Sequence, residues 1–192
     1  TFDDRGQLEC EAVRMNPVAY TMLPASACSL TPPGAFGPDR ITRNVRDAAG
    51  QLLQVQRAFG TSLQQTYAAY TYSSNGQRQT VRDANNNLTT FEYDGFDRLV
   101  KMRFPVAATG AGQSSVTDYE QYGYDGVGNR TSLRKRDGRT LTYAYDALNR
   151  VWVKTVPSSA SGVPGYSVHY GYDVRGLQLY ARFGSATGAG IT

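Results

Sequence analysis

One pattern recurs along this chain and constrains its fold more than any other feature. It runs aromatic, Asp, two variable residues, a residue able to take a left-handed backbone, and usually a polar residue. The clear copies are Phe2-Asp3-Asp4-Arg5-Gly6-Gln7, Tyr93-Asp94-Gly95-Phe96-Asp97-Arg98, Tyr124-Asp125-Gly126-Val127-Gly128-Asn129 and Tyr145-Asp146-Ala147-Leu148-Asn149-Arg150. Tyr172-Asp173-Val174-Arg175-Gly176 lacks the polar follower, and Arg46-Asp47-Ala48-Ala49-Gly50-Gln51 and Tyr72-Ser73-Ser74-Asn75-Gly76-Gln77 are looser copies.

The closing position is always Gly, Asn or Asp, the residues that best tolerate positive φ. An Asp or Ser at the turn start accepts hydrogen bonds from amides a few residues on. A type I turn followed by a left-handed residue is a common hairpin connection. Each copy is therefore predicted to be a hairpin turn. Asp3, Asp47, Asp94, Asp125, Asp146 and Asp173 hold the entries and Gly6, Gly50, Gly76, Asp97, Gly128, Asn149 and Gly176 close them, with positive φ predicted at Gly50, Gly76, Asp97, Gly128, Asn149 and Gly176.

A second aromatic stands two residues ahead in five copies, giving the pairs Tyr70 and Tyr72, Phe91 and Tyr93, Tyr122 and Tyr124, Tyr143 and Tyr145, and Tyr170 and Tyr172. Residues two apart in a strand share a face, so stacked hairpins would align these pairs into an aromatic ladder. Other turns fall between the motifs, at Asp83-Ala84-Asn85-Asn86-Asn87 and at Asp137-Gly138. Successive motif turns from Ser73 to Asp173 are 21, 31, 21 and 27 residues apart, a base period of 21 with insertions.

Strands and turns at this spacing predict an all-β fold of tandem antiparallel hairpins, stacked into an extended, curling sheet with almost no helix. Residues 1–44 read as a partial repeat plus a non-repeating insertion, and 45–192 as the repeat array. Loop insertions rich in Ala, Gly, Ser, Thr and Pro are predicted near 105–118 and 157–166. Neither end carries a capping element, which predicts a piece of a longer chain whose ends meet neighbouring repeats or other copies of itself, edge to edge.

A tandem Tyr-Asp unit followed at a fixed distance by Gly-Arg-Leu or a close variant resembles the YD-repeat (RHS-repeat) family, over most of Val45 to Phe183 and more weakly Thr1 to Leu8. The resemblance implies hairpins that build a spiral sheet, often closed as a hollow shell, as in bacterial RHS toxins, toxin-complex components and teneurins. It implies a non-catalytic scaffold, part of the shell of a secreted or cell-surface bacterial protein that encloses a C-terminal toxin domain. The alternative is an extracellular fibre-forming or adhesive repeat protein that binds surface glycans. The toxin-type members end their shell in a segment with an autoproteolytic site, and no Asp-Pro-x-Gly-Leu element occurs here.

The remaining residues offer little chemistry. His169, the only histidine, is predicted to be a plain strand residue, out of phase with the aromatic pair. A catalytic base would need a nucleophile and an orienting group. The repeated Asp residues are explained by their turns, and no cofactor is expected. Two cysteines and one histidine are too few for a metal site, so Cys10 and Cys28 are either a disulfide or two buried thiols, and export favours the disulfide. The net charge of +4 is spread among Asp residues. The cluster Arg134-Lys135-Arg136 runs straight into Asp137-Gly138, which reads as a solvated turn and not as a nucleic-acid surface. Asn87-Leu88-Thr89 and Asn129-Arg130-Thr131 match the glycosylation pattern but fall in turns that use Asn for conformation. No stretch has the apolar length of a membrane span.

Overall fold

The computed structural model describes residues 1–159 and 161–191. Ala160, inside the insertion expected over 157–166, and Thr192 lie outside the described residues. Among the described residues the protein is all-β, with antiparallel pairing throughout and one short 3-10 turn at Pro17–Thr21, started by Asn16, whose side chain accepts from the Val18 amide. Its residues group into two compact units, Thr1–Phe91 with Phe104–Ser114, and Glu92–Arg103 with Ser115–Thr192.

In the first unit β1 (Cys10–Val13), β2 (Arg40–Arg46), β3 (Leu52–Arg57), β4 (Gln65–Tyr72), β5 (Arg78–Asp83) and the start of β6 (Leu88–Tyr93) lie side by side in chain order. The non-repeating segment is joined to the repeats, since β1 pairs with β2 in the register Cys10 to Arg43. Residues 106–113 form a loop, and Ser114–Asp118, expected as loop, belong to β8. The β-branched Val116 and Thr117 suit an extended backbone.

The second unit carries most of β7 (Leu99–Pro105) and β8 (Ser114–Tyr124), then β9 (Arg130–Arg134), β10 (Thr140–Tyr145), β11 (Val151–Val156), β12 (Tyr166–Tyr172), β13 (Gln178–Phe183) and β14 (Gly190–Ile191). From β8 onward each strand pairs with the next. The strand leaving a motif turn carries one extra residue, because Tyr72 opposes Arg78 while Thr71 opposes Thr80, and the same shift recurs at Tyr124, Tyr145 and Tyr172. Such bulges raise the local twist and re-aim side chains.

A single layer of hairpins buries little. Only Cys10, Ile41 and Ala68 among the described apolar residues are buried, and Cys10 and Ile41 lie where the segment between β1 and β2 folds over the sheet. That segment is fastened twice. Cys10 and Cys28 form a disulfide with Cα atoms 5.2 Å apart. Buried Asp39 accepts from the Thr31 amide and hydroxyl, both at 2.8 Å, from the Met15 amide at 2.9 Å and from Arg14 Nη1 at 2.8 Å. Burial opposes the charge on Asp39, but these donors outweigh it and hold its carboxyl well below the usual range.

Candidate functional site

A scaffold acts through the joint that fastens one repeat to the next. That joint begins at the motif turn. In each copy the Asp amide donates to the carbonyl four residues on, as from Asp94 to Arg98 at 3.0 Å, and the left-handed residue donates back to the Asp carbonyl, as from Asp97 at 3.1 Å. The φ values at the closing positions are 74° at Gly6, 84° at Gly50, 80° at Gly76, 59° at Asp97, 98° at Gly128, 59° at Asn149 and 87° at Gly176. The Asp carboxylate spans the turn. Oδ1 of Asp146 accepts from the amides of Leu148 at 2.9 Å and Arg150 at 3.0 Å, and Asp3, Asp94, Asp125 and Asp173 repeat this geometry. Asp47 and Ser73 make the second of these bonds, to the amides of Gln51 and Gln77. The Asp83 turn is built the same way, with Asn86 as its left-handed residue.

The second carboxylate oxygen aims the joint. Oδ2 of Asp94 and of Asp146 accepts from Nε of the Arg four residues on, at 2.8 Å in both, and Oδ2 of Asp125 accepts from Asn129 at 3.0 Å. Backbone and side-chain donors of Arg150 lower the Asp146 carboxyl below its ordinary value. At Asp94, Arg98 does the same against an opposing effect of burial.

So held, each Arg points at the following repeat. Nη1 of Arg98 donates to the Asp125 carbonyl at 3.2 Å and its guanidinium sits 4.7 Å from the centre of the Tyr124 ring. Arg150 does the same to the Asp173 carbonyl at 3.2 Å and to Tyr172 at 4.6 Å. The motif Tyr returns the contact. The hydroxyl of Tyr124 donates to the Leu99 carbonyl at 2.9 Å, Tyr145 to Arg130 at 2.9 Å, Tyr172 to Val151 at 2.7 Å and Tyr72 to Leu52 at 2.9 Å. Each acceptor is the fifth residue after the preceding copy's turn Asp, whatever the length of chain between. Burial raises the Tyr145 and Tyr172 phenols above their ordinary value, so they remain donors at neutral pH.

The looser copies improvise. Arg5 donates to the carbonyls of Asp47, at 2.9 Å, and Ala48, and Gln7 lies against Gly50. Arg46 occupies the aromatic position before Asp47 and donates to the Gly50 carbonyl.

In three of the pairs the leading aromatic also meets a cation. Arg130 lies 5.9 Å from the Tyr122 ring and 5.1 Å from Tyr143, and Arg78 lies 4.9 Å from Tyr70. Arg130 thus serves two leading rings, Tyr122 and Tyr143, at once. Tyr122 also donates to Glu120 at 3.0 Å, and burial together with that carboxylate pushes its phenol up to about 12. Phe91 and Tyr93 end β6, and Tyr170 stands opposite Ala181 on β12. Gly123, Ala144 and Gly171 stand between the two aromatics of their pairs, and a Cβ at Gly171 would overlap the Tyr180 ring. Neither the phenol bond nor the forward Arg was read from the sequence. Their signal is the constant fifth-residue offset, together with Arg or Asn at the fourth.

The rings of His169 and Trp152 meet edge to face, with centroids 6.3 Å apart. Other candidate chemistry is tied up structurally. Arg136 makes two bonds to Asp118, Lys135 bonds Glu120 at 2.8 Å and Arg134 stacks 3.9 Å over Tyr119, which commits the basic cluster to β8. The amides of Asn87 and Asn129 donate to Asp83 and Asp125. Glu9 stands close to Cys10 and Cys28, but the disulfide removes both thiolates as metal ligands. Among the described residues, no helix is long and apolar enough to cross a membrane.

The repeat geometry has a counterpart among known families: a family model described as Teneurin YD-shell matches residues 41–160. The chain belongs to the teneurin YD-shell family. No curated protein matches it. Similar solved structures include the Photorhabdus luminescens Tc holotoxin pore with a TccC3 mutation, with a TM-score of 0.60 and 22% identity over 83% of this chain and 8% of that one. The TcdB2-TccC3-TEV crystal structure has a TM-score of 0.61 and 22% identity over 97% of this chain and 11% of that one. TcdB2-TccC3 without its hypervariable C-terminal region has a TM-score of 0.62 and 20% identity over 97% of this chain and 11% of that one. This YD-shell chain spans about a tenth of the length of those solved chains. Its joints are those of a structural shell scaffold.

Proposed function

We propose that this chain is wall from the hollow shell of a secreted bacterial RHS-type protein, and that the complete shell encloses a C-terminal toxin domain. The observation that carries this reading is the joint. The turn Asp, the motif Tyr hydroxyl, Arg98 and Arg150 hold their own turn or reach the adjacent repeat, as expected of a wall whose task is continuity. The similarity to Tc toxin chains supports the same reading. A scaffold of this kind acts without catalysis. Its partners are neighbouring repeats of the parent chain and the enclosed domain, with no nucleic acid and no membrane span among them.

The test is protease protection of the parent protein. Limited proteolysis with mass spectrometry should leave the segment C-terminal to the repeats intact until the shell is opened by denaturant, and prompt cleavage of that segment in the folded protein would reject encapsulation. A second reading, an adhesive extracellular repeat protein, is favoured by one observation: Trp152 is exposed on the sheet.

A further inference from the structure

The chain from Met15 to Pro38 runs for 24 residues without one Asp, Glu, Lys, Arg or His, and it holds five of the eight prolines. The family match begins at residue 41, so this strap between β1 and β2 stands outside the matched repeats. It is held as a firm loop. The Cys10–Cys28 disulfide and the donors gathered on Asp39 fasten its base, and the Asn16 side chain donates across it to the Pro32 carbonyl at 3.0 Å. Arg14 and Asp39, the charges that bound it, are paired at 2.8 Å and turned inward. What the strap shows to solvent is carbon. Val18 and Met22 are 84% and 85% exposed, and Tyr20, Leu23 and Phe36 are each more than half exposed.

A clustered apolar surface marks a docking site for protein or for lipid. Two features choose between them. A protein-docking surface sets its apolar anchors among Arg residues and a polar rim, whereas the strap has no charged residue at all. Its tip is also suited to a medium without water. Pro17 has no N–H, the Val18 amide donates to the Asn16 side chain at 3.1 Å, the Ala19 amide to the Asn16 carbonyl at 3.1 Å and the Met22 amide to the Ala19 carbonyl at 3.1 Å. Open amides are costly in lipid, while a protein interface can satisfy them with water. The Tyr20 hydroxyl donates to the Arg14 carbonyl at 3.1 Å, so its polar end points to the base of the strap, as suits a tyrosine at a bilayer surface.

We propose that the strap docks on a phospholipid bilayer, with Val18, Met22 and Leu23 at the boundary of headgroups and acyl chains and Tyr20 at headgroup level. The contact is shallow, lies on the membrane without spanning it, and requires no anionic lipid because the strap carries no charge. It goes beyond both readings above, since either a shell wall or an adhesive array can be held at a membrane by such a loop.

The test is sedimentation of the purified chain, its disulfide intact, with sucrose-loaded vesicles of phosphatidylcholine and phosphatidylethanolamine. The bound fraction should rise to saturation with lipid and change less than about twofold between about 0.05 and about 0.5 M NaCl. Val18→Asp combined with Met22→Asp should weaken binding about tenfold or more, because a charge resists entry into the boundary region. Both side chains are exposed, so the thermal midpoint should hold, and the milder Met22→Ser should weaken binding in the same direction. Leu148→Asp, at a turn tip of the second unit where the side chain is 68% exposed, should leave binding unchanged and so separates the strap from general stickiness. No sedimentation at millimolar lipid overturns the proposal, as does an equal loss in Leu148→Asp or binding that salt abolishes. Association of copies that grows with protein concentration, without vesicle binding, overturns it too and assigns the strap to a protein partner. Protease protection of the parent chain is a separate measurement, so encapsulation and membrane docking fail independently.

Discussion

The phenol of Tyr172 donates to the carbonyl of Val151 at 2.7 Å, across 21 residues of chain, while Arg150 beside that carbonyl stacks on the same Tyr172 ring. Two adjacent residues of one repeat therefore hold both the ring and the hydroxyl of the next. Tyr172→Phe removes the hydroxyl, keeps the ring, and leaves the carbonyl short of a partner. The expected loss is about 1 kcal/mol in urea unfolding, the net worth of one part-buried hydrogen bond. Tyr67→Phe is the control, since Tyr67 is exposed, and it should stay within about 0.5 kcal/mol.

Arg150→Lys keeps the charge but not the planar fork that serves Asp146, Asp173 and Tyr172 together. A loss of about 1 kcal/mol or more is expected. A double-mutant cycle with Tyr172→Phe should give a coupling of about 0.5 kcal/mol or more, because the two side chains share one contact. Additive single losses would show that the joint does not act as a unit.

Gly128 has φ of 98°, a conformation that a β-branched residue resists. Gly128→Val should cost roughly 1–2 kcal/mol. Asn149→Gly, at the equivalent turn, should be close to neutral, since glycine accepts the same backbone. Denaturant midpoints of the two variants check both.

The fold should resist mild acid and then loosen. Asp39, Asp94, Asp125, Asp146 and Asp173 all have carboxyls lowered in the folded state, so each contributes stability that is fully present above the unfolded value, about 3.9, and is lost as pH falls through the folded value. Thermal midpoints should therefore be flat from pH 7 to about 5 on this account and fall below about 4. Asp39, with four donors, should be the last of these to protonate in an NMR titration.

Reducing the Cys10–Cys28 bond opens a loop with a sequence separation of 18, which should remove about 3 kcal/mol. Hydrogen exchange should then speed up first in residues 14–39, with the repeats of the second unit unchanged. Uniform loosening of both units would refute a local role.

The hairpin turns could be read before any coordinates because their determinants lie within five residues. Asp146 finds its amide donors at Leu148 and Arg150, and Asn149 takes a left-handed backbone that few other residues tolerate, so spacing alone identifies the turn. Antiparallel pairing follows, since a short turn returns the chain beside itself. Tertiary structure decided what the motif tyrosine does. Tyr145 reaches back 15 residues to Arg130 and Tyr124 reaches back 25 to Leu99, and only stacking the strands converts these unequal separations into one repeated contact. The bulge that exposes Trp152 and the four donors gathered on Asp39 belong to the same class. A backbone preference is a property of neighbouring residues and is written in their order, whereas a hydrogen bond across an insertion exists only once the sheet has brought its ends together.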